Sequence, residues 1–525
     1  MQVPVLKLKK NNPLLQIRIL ARKDKGPFDV TSFHLTLNGT TDLNDIKTVR
    51  LYYVGNDSLW NMEADPRLFG QEKKISADLI IKGKQPLIPG ENYFLLTCEL
   101  ADNANLQNMV DAGCLNIGFS GNSYVKPGIV SPPVKQRIGV AVRQHLDENV
   151  DTYRIPGLAR TNKGTLLAIY DVRRDSPRDL QGNIDIGVSR STDRGNTWEP
   201  MSIALDMGEW GGLPQKFNGV ADACILADTN SDNIFISGCW MHGVLDKNGK
   251  WIEGLTEQSQ EWQHQWFGRG SQPRFDPKES SQFLLTKSTN DGKDWSKPTN
   301  LTRMLKQEEW WLLAPSPGHG ITLSDGTLVF PSQGRDSEGV CFSNITFSKD
   351  GGKTWETSRA PATNTTESTA VQLNDGKILL NMRDNRNSRN QSASNGRAIY
   401  TTNDMGNTWT EHPTSHGALI ESTCMASLHK HHYKDNQGKD KSILLFSNPN
   451  TKTGRHHMTI KISFDDGNTW PEKYWLLLDE GNSRGYSCLT SVDEKTIGIL
   501  YEGSQADITF QRIPLSELLN PNRNQ

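Results

Sequence analysis

Apolar and polar residues alternate with period two along most of the chain. In the first part, "LQIRILA" (15–21), "TSFHLTL" (31–37), "KTVRLYYV" (47–54) and "NYFLLTCEL" (92–100) read as half-buried strands separated by turn signals. Further on, "GTLLAIYDVR" (164–173), "GTLVFPSQGR" (326–335) and "GKILLNMRDN" (376–385) each open on a Gly turn, continue as an apolar strand and end polar. Their polar ends are expected to meet on one face, around an axis. Long helical periodicities are few, and 45 Gly with 14 Trp fit an all-β chain rich in turns.

A second period is written in whole phrases. "STDRGNTW" (191–198), "STNDGKDW" (288–295), "SKDGGKTW" (348–355), "TNDMGNTW" (402–409) and "SFDDGNTW" (463–470) are five versions of one octad. Asp and Gly suit a tight turn, the first bonding nearby amides and the second tolerating positive φ, while the hydroxyl and the Trp tie the turn down. The phrase reads as a hairpin connection, not as a catalytic site. The Trp positions are 97, 60, 54 and 61 residues apart. Spacings near 60 suit one four-stranded blade each, and 97 a blade with an insertion or one without its own octad. Blades in radial array form a β-propeller, which leaves only short protected edges.

A chain of 525 residues exceeds one ordinary core. The expected organisation is an N-terminal β-sandwich over 1–130, a linker over 131–146 and a six-bladed propeller over 147–515. The Ser-, Gly- and Pro-rich "SGNSYVKPGIVSPPVKQR" (120–137) marks the connection, with a flexible and an ordered form both open. With 58 Lys plus Arg against 60 Asp plus Glu, the net charge of −2 gives no general pull towards nucleic acid or anionic membrane. Seven scattered Cys show no CxxC or metal spacing and read as mostly buried thiols. His429, His431, His432, His456 and His457 have no acidic or Cys partner at ligand spacing, so no metal is expected. P-loop and dinucleotide fingerprints are missing, and the N-terminus reads as neither signal peptide nor membrane span.

The octads match the Asp-box consensus S-x-D-x-G-x-T-W, and with them the chain resembles the sialidase (neuraminidase) superfamily, in particular bacterial exo-α-sialidases. Two copies depart from the consensus: the second carries Asn290 and Asp294 in place of Asp and Thr, and the fourth opens on Thr402. Asp boxes also occur in other propellers, so activity rests on further residues. Arg154 in "YRIPGLART" resembles the family's Arg-Ile-Pro motif. Arg383 in "LLNMRDN" and Arg455 in "TKTGRHHMTIKIS" complete what the resemblance implies is an arginine triad for the carboxylate of sialic acid. Guanidinium forks suit that task, binding a planar carboxylate through directed, charge-assisted hydrogen bonds at any working pH.

The resemblance also assigns the reacting groups. Tyr486 in "SRGYSCLT" matches the nucleophile, and Glu367 in "NTTESTAVQL", 16 residues before Arg383, matches the Glu that takes its proton. A free phenol has a pKa of about 10 and needs such help at neutral pH. Sialidases with a Tyr nucleophile are a known exception to the two-carboxylate rule of glycosidases. The substrate carries its own carboxylate on the anomeric carbon and would repel an anionic nucleophile. Asp179, 25 residues after Arg154 in "DVRRDSPRDLQG", fits the mobile acid, with Asp175 and Asp185 as rivals in the same stretch.

By the same resemblance Arg173 lies near the substrate's substituents, and Asp222 in "NGVADACIL" on the N-acyl side. Trp240 and Met241 offer an apolar wall, and Gln333 in "VFPSQGRD" ends a strand facing the axis. Trp251, Trp262 and Trp266 are candidates for stacking on a leaving sugar, with ordinary packing as the alternative.

The expectation is thus a retaining exo-α-sialidase without cofactor, acting on sialylated glycoproteins, gangliosides and oligosaccharides and working in the periplasm or outside a bacterial cell. The alternatives are a trans-sialidase, an intramolecular trans-sialidase, or a sialoglycan-binding propeller that does not turn over. A pure lectin has no need for the acid or for the Tyr and Glu pair.

Overall fold

The computed structural model describes residues 2–23, 28–56, 66–180, 182–212, 215–242, 271–277 and 280–521. Two compact units emerge: Met1–Ala141 with Leu478–Gly481, and Val142–Leu477 with Asn482–Gln525.

The first unit is a β-sandwich. One antiparallel sheet has the order Asn12–Ala21, Gly90–Leu100, Ile46–Gly55, Arg67–Glu72; the other runs Ser123–Val125, Gly113–Phe119, Asp29–Thr36, Asp78–Pro86. Alternation sends one face of each sheet inward, where Phe33 of one meets Phe69 and Phe94 of the other at 5.3 and 4.8 Å between ring centroids. Residues 136–143, within the stretch read as a linker, form a strand buried along its whole length. The Pro-rich composition therefore marks only the approach to an ordered segment.

The second unit is a six-bladed propeller. Successive blades begin with the strands Thr152–Arg160, Asn218–Ala227, Leu312–Pro315, Thr365–Gln372, Ser427–Lys434 and Ser487–Asp493, each followed by antiparallel neighbours. These first strands pack around the axis and close the ring where the first meets the last. There the Leu158 N–H donates to Cys488 Sγ at 3.2 Å. The octads join the third and fourth strands of blades 1 to 5, and blade 6 has none. The 97-residue spacing belongs to blade 2, whose connection between Ile234–His242 and Gln282–Ser288 is long.

Each octad repeats one set of bonds. In the first, Asp193 accepts from Ser191 Oγ (2.9 Å), Thr197 N–H (2.9 Å) and Thr197 Oγ1 (2.6 Å), and Gly195, at φ +84°, donates to Ser191. The second copy inverts the pair: Asn290 accepts the Asp294 N–H at 3.0 Å, and its amide nitrogen donates to the Asp294 carboxylate at 2.7 Å. The Trp of each box packs against the preceding blade. Trp295, Trp355, Trp409 and Trp470 join the apolar clusters between blades 1 and 2 through 4 and 5, and Trp198 meets Phe510 of blade 6 at 5.2 Å. The octad is thus both turn and inter-blade wedge. All seven thiols are unpaired and six are buried.

Candidate active site

The starts of the first strands and the ends of the second strands gather at one mouth of the propeller axis. Arg154 lies on the first strand of blade 1, Asp222 of blade 2 and Glu367 of blade 4, and each of these strands carries a bulge at that point. Ile155 (φ +59°) and Asp222 (φ +55°) sit in the left-handed region, which side chains avoid and which turns the local backbone. From the second strands come Arg173, Gln333 and Arg383. The three Gly-initiated strands do bring their polar ends together.

Tyr486 and Glu367 form the centre. Both are nearly buried, at 6% and 5% exposed, and the phenol donates directly to Glu367 Oε1. Arg383 Nη1 donates to Glu367 Oε2 at 2.6 Å and to the Tyr486 oxygen at 3.3 Å. Its Nε–H is buried and has no partner among the described residues. The guanidinium carbons of Arg154 and Arg455 lie 5.2 and 5.5 Å from the centroid of the Tyr486 ring. Burial, reinforced by the charge of Glu367 and opposed by Arg383 and Arg455, pushes the phenol well above its ordinary value. The resting phenol is neutral, with the Glu367 side chain in hydrogen-bonding contact.

The three arginines are held differently. Arg154 is gripped by Glu502, with Nε to Oε1 at 2.8 Å and Nη2 to Oε2 at 3.2 Å. Glu502 also accepts the N–H groups of Ile155 (3.0 Å) and Tyr486 (2.9 Å). Burial pushes its carboxyl up, but Arg154 and these donors outweigh burial and hold it below the usual range. Arg383 rests on Glu367, whereas Arg455 donates to two backbone carbonyls, of Arg484 (2.9 Å) and Thr423 (3.1 Å). Burial opposes the charges of Arg154 and Arg383, yet Glu502 and Glu367 outweigh it, so both stay cationic. Glu502 was missed by the sequence reading, although "KTIGILYEG" has the same form, an apolar strand ending in a polar residue, that exposed Arg173, Gln333 and Arg383.

Asp179 lies on the loop after the second strand of blade 1, its side chain 46% exposed. Arg173 Nη2 donates to it at 2.6 Å. Arg173 itself is buried, also bonding Asp171 (2.8 Å) and the Pro177 carbonyl (3.1 Å), so its fork is committed to supporting the loop. Burial pushes the Asp171 carboxyl up to about 7, against the pull of Arg173. Of the rivals, Asp185 accepts from Arg174 at 2.6 Å at the base of the loop, and Asp175 is exposed.

Asp222 accepts from Gln333 Nε2 at 3.3 Å. Burial, then the negative fields of Asp179 and Glu367, push its carboxyl well above the ordinary value.

Trp240 is fully buried in the core between blades 1 and 2, against Trp210 at 4.4 Å, so it forms no wall of the site. Met241 is buried in a separate cluster with Leu180 and Ala314. Both follow from their place in the second strand of blade 2, where alternate residues serve inter-blade packing. Trp251, Trp262 and Trp266 lie outside the described residues. His429 and His431 both bond Ser491, at 2.8 and 2.7 Å, within the packing of blades 5 and 6. No group of three or more metal-ligating side chains occurs among the described residues.

Comparison with known proteins identifies the family of both units. Residues 155–495 match the BNR repeat-like domain, and residues 1–123 the N-terminal domain of BNR-repeat neuraminidase. The chain is 40% identical to a sialidase of Bacteroides fragilis over 99% of its own length and 94% of the relative's, and 28% identical to a Clostridium perfringens sialidase over 71% and 91%. Among solved structures, the Hadza microbial sialidase Hz136 superposes with a TM-score of 0.85 at 37% identity, covering 98% of both chains. An intramolecular trans-sialidase from Ruminococcus gnavus, 19% identical, shares the fold with a TM-score of 0.53 over 70% of this chain and 96% of its own. With its five Asp boxes, its propeller and its N-terminal sandwich, this chain belongs to the BNR-repeat sialidase (neuraminidase) family.

Proposed function

We propose that the protein is a retaining exo-α-sialidase that releases terminal α-linked sialic acid from glycans through a tyrosyl-sialyl intermediate. The observation that carries this reading is the phenol of Tyr486 hydrogen-bonded to Glu367 between the guanidinium groups of Arg154, Arg383 and Arg455. Three fixed cations at the rim of one phenol suit a substrate whose carboxylate is attached to the carbon under attack. The unpartnered Nε–H of Arg383 is a ready donor for it.

In the first step the Tyr486 oxygen bonds to the anomeric carbon while its proton passes to Glu367. The glycosidic C–O bond breaks, and the departing oxygen takes a proton from Asp179. In the second step Asp179, now a base, removes a proton from water. The water oxygen attacks the anomeric carbon, and Tyr486 leaves with the proton held by Glu367. Two inversions give net retention. A neutral nucleophile approaches the anionic centre without repulsion, and the neighbouring guanidiniums offset the negative charge that develops on the phenol. Asp222 and Gln333 line the same space and are assigned to the substrate's ring substituents, with Arg173 holding Asp179 in reach.

A fluorogenic α-sialoside, with product followed by NMR, tests the reading. Wild type is expected to release α-sialic acid first. Asp179→Ala is expected to lose about 10²–10⁴-fold on natural glycosides and far less on an aryl sialoside whose leaving group needs no proton. First release of the β-anomer, or equal losses on both substrates, counts against the mechanism; an anhydro or transferred product moves the protein to the trans-sialidases.

A further inference from the structure

Behind the arginine cluster lies an ion pair with no exposed atoms, Arg397 and Glu421, both 0% exposed with Nη1 and Oε2 2.7 Å apart. Neither touches the pocket, and the reaction as derived makes no use of them. Arg397 precedes the third strand of blade 4, and Glu421 lies in the connection from blade 4 to blade 5.

Their remaining bonds lead to two places. Glu421 Oε1 accepts the backbone N–H of Asp384, the residue after Arg383, at 2.8 Å, and Asn387 Nδ2 at 2.7 Å. Arg397 Nη1 also donates to the Cys424 carbonyl at 2.9 Å, and its Nε to Asn381 Oδ1 at 2.7 Å, two residues before Arg383. Cys424 follows Thr423, whose carbonyl accepts from Arg455 Nη2 at 3.1 Å. Thr423 is β-branched yet stands at φ +51°, a conformation that persists only where its surroundings impose it. Asn395 closes the frame, accepting the Glu421 N–H at 2.9 Å and donating to the Glu421 carbonyl at 2.9 Å.

We propose that the Arg397–Glu421 pair is a positioning device that fixes Arg383 and Arg455 relative to each other, and thereby sets affinity for the substrate carboxylate. The inference rests on the reading of those two arginines as carboxylate ligands. A fully buried ion pair is a poor source of stability compared with apolar residues of the same volume. What it supplies is direction: a planar fork and a carboxylate, satisfied on both sides, tie two backbone segments in one register. Neither segment has another rigid tie of that kind to the second arginine among the described residues. Arg455 in particular, resting on carbonyls alone, is only as fixed as the backbone that carries them, at Arg484 and at 423–424.

Glu421→Gln tests this in the full chain, because it keeps the shape while confronting the Asp384 N–H or Arg397 with an amide donor. The measurements are near-ultraviolet circular dichroism for folding, KM and kcat on an α-sialoside, and Kd for a 2,3-unsaturated sialic acid analogue and for its carboxamide. In the folded variant, KM and the Kd of the carboxylate analogue are expected to rise about tenfold, with the carboxamide Kd and kcat changed by less than about threefold. A folded variant with unchanged KM, or with equal losses for both analogues, overturns the proposal. If Glu421→Gln does not fold, Asn387→Ala removes one bond to the same carboxylate and is expected to show about a threefold loss confined to the carboxylate analogue; unchanged selectivity there overturns it equally. Arg383→Lys separates the two levels. Its binding the carboxylate analogue as tightly as wild type would defeat the reading of the arginines themselves, whereas a weakened Arg383→Lys beside a normal Glu421→Gln would defeat only the positioning role.

Discussion

The Asp-box turns and the arginine pocket both consist of short bonds to carboxylates, but they differ in reach. In the first box every partner of Asp193 lies within four residues. In the pocket, Tyr486 and Glu367 are 119 residues apart, and Arg154 and Glu502 are 348 apart. A box therefore forms wherever its eight residues stand, and an exchange such as Asn290 with Asp294 can be compensated inside the turn. The pocket exists only when six blades are in register. Small displacements of any one of them fall directly on the distances between Tyr486, Glu367 and the guanidiniums.

The sharpest way to separate the two regions is to remove one atom from the pocket. Tyr486→Phe is expected to lower kcat on the order of 10³-fold or more while leaving the melting temperature almost unmoved. Loss of fold instead would make the phenol a structural group.

Glu502→Gln affects both activity and stability, since it frees Arg154 and leaves a charge poorly paired. KM is expected to rise, and stability at pH 7 to fall by about 3–5 kcal/mol, read from denaturant unfolding. The folded Glu502 carboxyl lies below its ordinary 4.5. Its contribution is therefore fully present above that value and lost as pH falls through the lower folded value. The wild-type advantage over the variant should vanish in acid; an advantage that persists there would locate it in packing.

The turns should behave in the opposite way. Asp193→Ala removes three accepted bonds and is expected to cost about 1–2 kcal/mol of stability with kcat and KM unchanged in the folded fraction. A change in KM would link the outer turn to the axis. The smallest effect is expected in the second box. Asn290→Asp alone sets two carboxylates face to face and should lower the melting temperature slightly. Adding Asp294→Thr restores the consensus and should recover it, and a failure of the pair to recover would deny the compensation.

Legibility in the sequence followed the same division. The octads, the strands of the sandwich and the three Gly-initiated strands are local patterns, and the structure has them where the residues put them. Whether the connection around 136–143 is ordered stayed open in the sequence because its neighbourhood is rich in Pro and Gly, while the strand itself carries no such residue beyond Gly139. Arg154, Arg383, Arg455, Tyr486 and Glu367 were singled out through motifs and lie in contact around the Tyr486 ring, while Asp179 stands on Arg173. Trp240 was misplaced because alternation along a strand tells which residues share a face, not whether that face looks to the axis or to the next blade. Glu502 and the Arg397–Glu421 pair were not read at all, since a single acidic residue after an apolar strand has no local sign of its distant partner.

By itself the sequence determined the repeat, the number of boxes, the turn chemistry and the kinds of side chain available for binding a carboxylate. Those follow from bonds and periodicities spanning a few residues. Only the tertiary structure decided which guanidinium leans on which carboxylate, where bulges twist Ile155 and Asp222 into the left-handed region, and which Trp packs in a core. The physical reason is closure of the ring: the first strand meets the last, and electrostatic fields between groups hundreds of residues apart are set by that closure alone.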